Sequence, residues 1–314
     1  MKYPPAPRAS IIVPAYNVAP YIGEALGSVA AQTIVDFEAI IIDDGSPDDI
    51  GAACAPWLND PRFRLIRTQN CGLAAARNRG ISEARSSLIA LLDGDDRYQP
   101  EYLSKMLERI NADDQPDFVT CDAVSFGNVA HDGEIFSSRY PQDEPITLAR
   151  FLSREVNIFG LSMVRKSAID SIGGYDEELR SAEDLDFWLR LLLTGAKGGL
   201  VRQSLVDYRR RAGSLSHNTA PLMRDTVTAF AKLIAHLPAG NERALAENRL
   251  AEAQSLGEFE GGVDRVLDGD VPGGIFLMRK SGLKSDKAQW RAALWLMSLI
   301  PVLARPLLLY YRRP

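Results

Sequence analysis

Three short apolar runs in the first hundred residues each stop at a polar cluster, and helical patterns lie between them. Ile11–Val13 closes on Pro14-Ala15-Tyr16-Asn17, Phe37–Ile42 on Asp43-Asp44-Gly45-Ser46, and Ser87–Leu92 on Asp93-Gly94-Asp95-Asp96. Runs this short and continuous read as strands covered on both faces. Pro20–Gln32 sets Ile22, Leu26 and Val29 on one helical face, and Asp48–Leu58 and Gly72–Ala84 also read as helices, with another strand at Arg62–Ile66. Pro100 opens the next helix, where its missing N–H costs nothing. Alternation of this kind predicts an α/β fold, a mainly parallel sheet with helices on both faces.

The rest of the chain is less regular. Asp117–Val124, Ile158–Val164 and Leu200–Tyr208 read as strands and Ala182–Leu193 as a helix. After about Leu222 the strand signals stop, and breaks near Pro238–Gly240, Gly261–Gly262 and Gly269–Gly274 divide several helices. The expected organisation is a catalytic domain over 1–220 and a helical C-terminal extension over 221–314. Three scattered cysteines, Cys54, Cys71 and Cys121, show neither metal nor redox spacing, which fits a reducing, cytoplasmic compartment. Pro4, Pro5 and Pro7 interrupt the N-terminus, so no secretory signal is expected.

Charge is unevenly distributed. From Ile275 onward eight Lys and Arg face one acid, Asp286; that net +7 leaves −12 on the remainder of a chain whose total is −5. An acidic body argues against nucleic acid as a partner. A basic tail with Trp290, Trp295 and thirteen uncharged residues between Arg291 and Arg305 predicts contact with a membrane surface over 289–314. A spanning helix needs roughly 20 apolar residues, so crossing is not expected. The competing expectation is a helix packed on the protein itself.

The polar clusters carry the chemistry. Parallel strands would bring all three to one sheet edge, where ligands of such sheets bind. Five carboxylates there would repel one another without a cation or donors. Asp93 and Asp95, separated by Gly94, can point two oxygens at Mg²⁺ or Mn²⁺ and leave positions for a diphosphate. Asp43 and Asp44 can accept hydrogen bonds from ribose hydroxyls or a base. Arg77, within Asn70–Asn78, suits a phosphate or one of the acids. Ser181 is a natural N-cap before Glu183, Asp184 and Asp186; capping needs fewer acids, so one is a candidate base. Tyr208-Arg209-Arg210-Arg211, followed by the small-residue loop Ala212–Ser216, can fold over a diphosphate. Asp268-Gly269-Asp270 follows no strand and reads as a turn, and His131, His217 and His236 are isolated. No Gly-x-Gly-x-x-Gly follows a strand, against a nicotinamide cofactor. A phosphatase-like fold would want an Asp nucleophile after the first strand, and Pro14–Asn17 supplies none.

Taken in order, Val13–Asn17, Ile42–Ser46, Asn70–Asn78, Leu92–Asp96, Gly173–Glu177, Glu183-Asp184 and Tyr208-Arg209 resemble the family 2 glycosyltransferases. The resemblance implies a GT-A, Rossmann-like fold and inverting transfer from a nucleoside-diphosphate sugar, UDP-sugar first; the basic, apolar tail adds the expectation of cell-surface glycan biosynthesis. It implies donor contacts from Pro14, Tyr16, Asn17, Asp43, Asp44, Arg77, Asp93, Arg209 and Arg211. It gives Asp95, with Asp93, to a divalent metal, Asp184 to the acceptor proton, and Glu183 to the acceptor side. The acceptor is expected to be a glycan or lipid-linked, at the inner face of the cytoplasmic membrane. Arg211 stands where members often carry a His, and the Gln-x-x-Arg-Trp motif of processive synthases is absent, which points to one sugar per encounter. The alternative is an inactive nucleotide-sugar-binding or membrane scaffold protein.

Overall fold

The computed structural model describes residues 7–127, 131–211, 219–283 and 287–311. The Ala212–Ser216 loop, His217, Lys284, Asp286, Arg312 and Arg313 lie outside the described residues. The chain divides into two compact units, Met1–Ala212 and Gly213–Pro314.

The first unit is built on one sheet. Its strands are β1 (Ala9–Ala15), β2 (Phe37–Asp44), β3 (Phe63–Thr68), β4 (Leu88–Leu91), β5 (Arg97–Tyr98), β6 (Phe118–Phe126), β7 (Met163–Arg165) and β8 (Gly198–Arg209), in the order β3-β2-β1-β4-β7-β6-β8-β5. Pairing is parallel from β3 to β4 and between β6 and β8; β7 and β5 run against their neighbours. The helices are α1 (Ala19–Ala30), α2 (Ile50–Cys54), α3 (Leu73–Glu83), α4 (Tyr102–Ile110), α5 (Phe136–Arg139), α6 (Leu148–Leu152), α7 (Lys166–Ser171) and α8 (Glu183–Leu193).

Every residue of β1 and β2 is buried, so the centre of the sheet is covered on both faces. Ile40, Ile41 and Ile42 are fully buried in succession, each stabilising by about 1.5–3 kcal/mol relative to exposure. In register, Ala15 sits opposite Asp43 and Asp44 opposite Thr68, so the ends of β1, β2 and β3 emerge together. At the other end of β2, the buried Glu38 accepts Ser10 Oγ (2.6 Å), Arg85 N (2.7 Å) and Arg85 Nε (2.8 Å). Burial pushes its carboxyl up, but these donors together hold it below the ordinary range.

Two expectations fail here. Ile158–Val164 is not a strand; only Met163–Arg165 pairs, because the chain turns at Gly160, where Ser162 N donates to its carbonyl (3.0 Å). The helix expected over Asp48–Leu58 closes at Cys54, with Asp49 capping it through Ala52 N.

The second unit is helical: α9 (Thr219–His236), α10 (Asn241–Leu267), α11 (Val271–Lys280), α12 (Ala288–Leu299) and α13 (Ala304–Tyr311). Gly261 and Gly262 do not break a helix but lie inside α10. A Cβ on Gly262 would lie 2.6 Å from Gly274 O and 2.8 Å from Met278 Cγ, so this glycine lets α10 and α11 approach closely. Asp268-Gly269-Asp270 is the turn between them, and Asp270 caps α11 through Gly273 N. Trp290 turns inward, edge-on to Phe259 (5.1 Å) and Tyr311 (4.9 Å), rather than outward with Trp295. No helix of the described residues is long and apolar enough to cross a membrane.

Candidate active site

The loops after β1 and β2 are tied to each other. Asn17 takes a left-handed backbone (φ 54°), which its short amide tolerates, and its N–H donates to Ser46 Oγ (2.7 Å). Ser46 Oγ in turn donates to Asp48, whose other oxygen accepts Ala19 N (2.7 Å) at the start of α1. Pro14 is buried in β1, while Tyr16 beside it is about half exposed. Asp43 is buried, pairs with Arg67 (2.9 Å) and accepts Ser46 N (2.9 Å). Asp44 accepts Cys71 N and Gly72 N, each at 2.9 Å. Its two oxygens therefore hold the loop that leads into α3.

The turn after β4 is pressed into the site. Asp96 N donates to Asp93 O (3.0 Å). Gly94 is there for space: a Cβ would meet Val18 Cγ2 at 2.9 Å, Ile22 Cδ1 at 3.0 Å and Pro14 O at 3.1 Å. Asp96 is buried and accepts Arg209 N (2.6 Å); burial, with Asp93 and Asp95 adding to it, pushes its carboxyl well up. Asp95 accepts Arg211 Nε at 2.6 Å, and burial first, then Asp93, raise its carboxyl against that pull. Arg209 Nε donates to Asp95 O (2.7 Å). Arg209 also pairs with Glu24 (2.9 Å), and its guanidinium lies over Tyr21 (4.8 Å) and Phe126 (4.3 Å).

Arg77 joins this turn to α8. It is 4% exposed and bridges Asp93 Oδ1 (3.0 Å) and Glu183 Oε1 (2.8 Å), 5.3 Å from the Tyr175 ring. Burial alone would disfavour its charge, but Asp93, Tyr175 and Glu183 hold the guanidinium protonated. Burial also pushes the Glu183 carboxyl up, Arg77 pulls it down, and Asp184 pushes it up again.

The start of α8 separates three acids. Ser181 is not the N-cap; that place belongs to Ala182, held left-handed at φ 55°, a strained state for a non-glycine residue. Glu183 is buried against Arg77, and Asp186 is buried against Arg190 (2.6 Å). Asp184 is exposed; Leu185 N donates to its Oδ1 (2.7 Å), and a Cβ on Gly160 would lie 3.9 Å from its Oδ2.

The structure thus gathers Arg77, Asp93, Glu183 and Asp184 in one cluster and Asp95, Arg209 and Arg211 in another that adjoins it. Arg77 is committed to two carboxylates rather than open to a phosphate. Sequence reasoning missed Tyr21, Glu24, Arg67 and Gly160; only Tyr21, one turn past Asn17 on α1, had a local signal. Among the described residues no group of three or more His, Cys, Asp or Glu forms a metal cage. Asp93 and Asp95 nonetheless fit a hard cation that keeps phosphate ligands. They are two adjacent carboxylates, and their arginines take only Asp93 Oδ1 and Asp95 Oδ2.

Comparison with known proteins gives the family and the fold. Residues 10–173, just over half of the chain, match the Glycosyl transferase family 2 model, and the chain belongs to that family. The uncharacterized glycosyltransferase EpsJ of Bacillus subtilis is 40% identical over 221 residues, which are 67% of this chain. The match spans 63% of EpsJ, less than two thirds of its length. Among solved structures, S. aureus TarS 1–349 in complex with UDP-GlcNAc superposes with a TM-score of 0.67 at 19% identity, over 96% of this chain and 90% of that one. The mannosyltransferase PcManGT of Pyrobaculum calidifontis, in complex with GDP-Man and Mn²⁺, gives 0.60 at 17% identity over 99% and 89%. At these identities the likeness shows the GT-A fold.

Proposed function

We propose that the chain is an inverting glycosyltransferase that moves one sugar from a nucleoside-diphosphate sugar, UDP-sugar first, to an acceptor hydroxyl. The observation that carries this is the sorting of acids at α8: Glu183 and Asp186 are each buried against an arginine, and Asp184 alone is exposed. A base on an incoming hydroxyl must be reachable and anchored; Asp184 is exposed, and Leu185 N donates to its Oδ1.

In this reading Tyr16 and Asn17, beside Pro14, with Asp43 and Asp44 frame the nucleoside. Arg209 and Arg211 turn from Glu24 and Asp95 toward the diphosphate oxygens. Arg77 keeps Asp93 and Glu183 in place. The acceptor oxygen attacks the anomeric carbon, the carbon–oxygen bond to the diphosphate breaks with its electron pair leaving on the diphosphate, and Asp184 takes the acceptor proton. Asp93 and Asp95 would hold Mg²⁺ or Mn²⁺, which when bound offsets negative charge developing on the leaving diphosphate. Attack from the face opposite the leaving group inverts the configuration. A glycan or lipid-linked acceptor and attachment at a membrane surface through 289–314 complete the proposal.

The test is calorimetric titration with UDP, UDP-GlcNAc and GDP-mannose, with and without Mn²⁺, followed by mass-spectrometric detection of transfer to glycan acceptors. Saturable binding of a nucleotide sugar, tightened by Mn²⁺, is expected. No binding by any of them would overturn the proposal.

A further inference from the structure

The second unit carries an apolar surface that its own packing leaves uncovered. On α12, Leu294 and Met297 face a core of Phe259, Val263 and Met278, with Trp290 and Ala293 packed against it, and α13 adds Ala304 and Leu308. The opposite side of a helix pair in water is ordinarily polar. Here Trp295 (62%), Val302 (78%) and Tyr310 (72%) are exposed, together with Leu299, Ile300, Leu303 and Leu309. Leu299-Ile300-Pro301-Val302-Leu303 is an exposed, unbroken apolar run at the turn between the helices, where a water-facing connection carries polar residues.

The flanks of this turn are cationic. Arg291 and Arg305 are exposed on its two arms, and residues 287–311 contain no acid. Arg279 and Arg291 also line a cleft with Met278, Leu283 and Leu294. A second copy seated on this surface would bring like charges together, whereas an anionic lipid surface is complementary. Trp295 and Tyr310 are side chains favoured where an apolar interior meets water. The turn at Pro301–Leu303 interrupts the helix within the uncharged stretch, which suits entry into a bilayer and not passage through it.

We propose that Leu299–Leu303, with Trp295, inserts into the interfacial layer of an anionic phospholipid bilayer while Arg279, Arg291 and Arg305 meet lipid phosphates. This rests on the membrane attachment proposed above and names the residues that make it; sugar transfer to a soluble acceptor is independent of it.

The experiment is flotation of the full chain with vesicles of phosphatidylcholine, with and without phosphatidylglycerol. Parent, Val302→Ser/Leu303→Ser and Arg291→Gln/Arg305→Gln are compared, with circular dichroism melts and sedimentation velocity on each. The parent is expected to float with phosphatidylglycerol vesicles. The tip variant should lose at least about tenfold in partitioning. The charge variant should lose roughly fivefold per cation and its preference for phosphatidylglycerol. Melting should hold, because the substituted side chains are exposed. A tip variant that floats like a floating parent overturns the tip and leaves the attachment standing; a parent that does not float overturns both. A dimer that the tip variant converts to a monomer, with no flotation by either, overturns the proposal and gives the surface to a second copy.

Discussion

Replacing Arg77 by Met keeps an unbranched apolar stem but removes the guanidinium and its charge, which strands two carboxylates at once. Glu183 is buried and paired through Arg77 at 2.8 Å, and Asp93 at 3.0 Å. Breaking one partner of a buried ion pair costs about 3–5 kcal/mol, because the remaining charge has lost its compensation. For a unit of this size each kcal/mol lowers the melting temperature by roughly 2–4 °C, so a fall of roughly 6–20 °C is expected by circular dichroism. The loss should shrink as pH falls. Burial already raises the folded-state value of Glu183, and removing Arg77 raises it further. A carboxyl raised on folding contributes stability that is full below its ordinary value of 4.5 and is lost as pH rises from there through the folded value. Glu183→Gln in the Arg77→Met background should then recover at least about 1 kcal/mol near neutral pH, since the amide carries no stranded charge. An Arg77→Met melt within about 1 kcal/mol of the parent would refute the argument that this arginine holds the acids together.

Gly94→Ala should displace the Asp93–Asp95 turn, because its Cβ has only about 3 Å to Val18, Ile22 and Pro14 O; a cost of about 1–3 kcal/mol in melting and weaker UDP binding are expected. Asp95→Asn should abolish the gain in UDP affinity on adding Mn²⁺, measured by calorimetry, and an undiminished gain would remove Asp95 from the metal. Glu38→Gln should flatten the acid limb of the stability curve. Its carboxyl is lowered on folding, so its contribution is full above the ordinary value of 4.5 and is lost as pH falls through the folded one; melts over that range read it directly.

The parts of the architecture with a local signature could be read from the sequence. The ends of β1, β2 and β4 are marked by apolar runs closing on polar residues, and parallel pairing alone brings them to one edge. What escaped was set by contacts distant in sequence. Arg77 and Glu183 lie 106 residues apart, so their pairing had no local trace. Gly94 reads as a flexible spacer between acids, yet it is required because Val18, Ile22 and Pro14 leave no room for a side chain. Gly261-Gly262 reads as a break for the same reason: glycine's conformational cost is visible in sequence, but the close passage of Gly274 that offsets it is not. Ser181 has the chemistry of a cap, but the left-handed turn at Ala182 starts α8 one residue later. Trp290 and Trp295 look alike in an apolar tail; helical phase, set by the core of α10 and α11, turns one inward and the other out.

The most direct test of the account is Asp184→Asn, assayed for transfer, UDP affinity and melting temperature in parallel. Asn keeps the size and the exposed position but cannot usefully take a proton at neutral pH. The account predicts transfer slower by about 10²–10⁴, with UDP affinity and melting close to the parent. If Asp184 only complements the dipole at the start of α8, its loss should cost at most about 1 kcal/mol of stability and leave transfer nearly intact. A folded Asp184→Asn protein that transfers sugar at the parental rate would contradict the account.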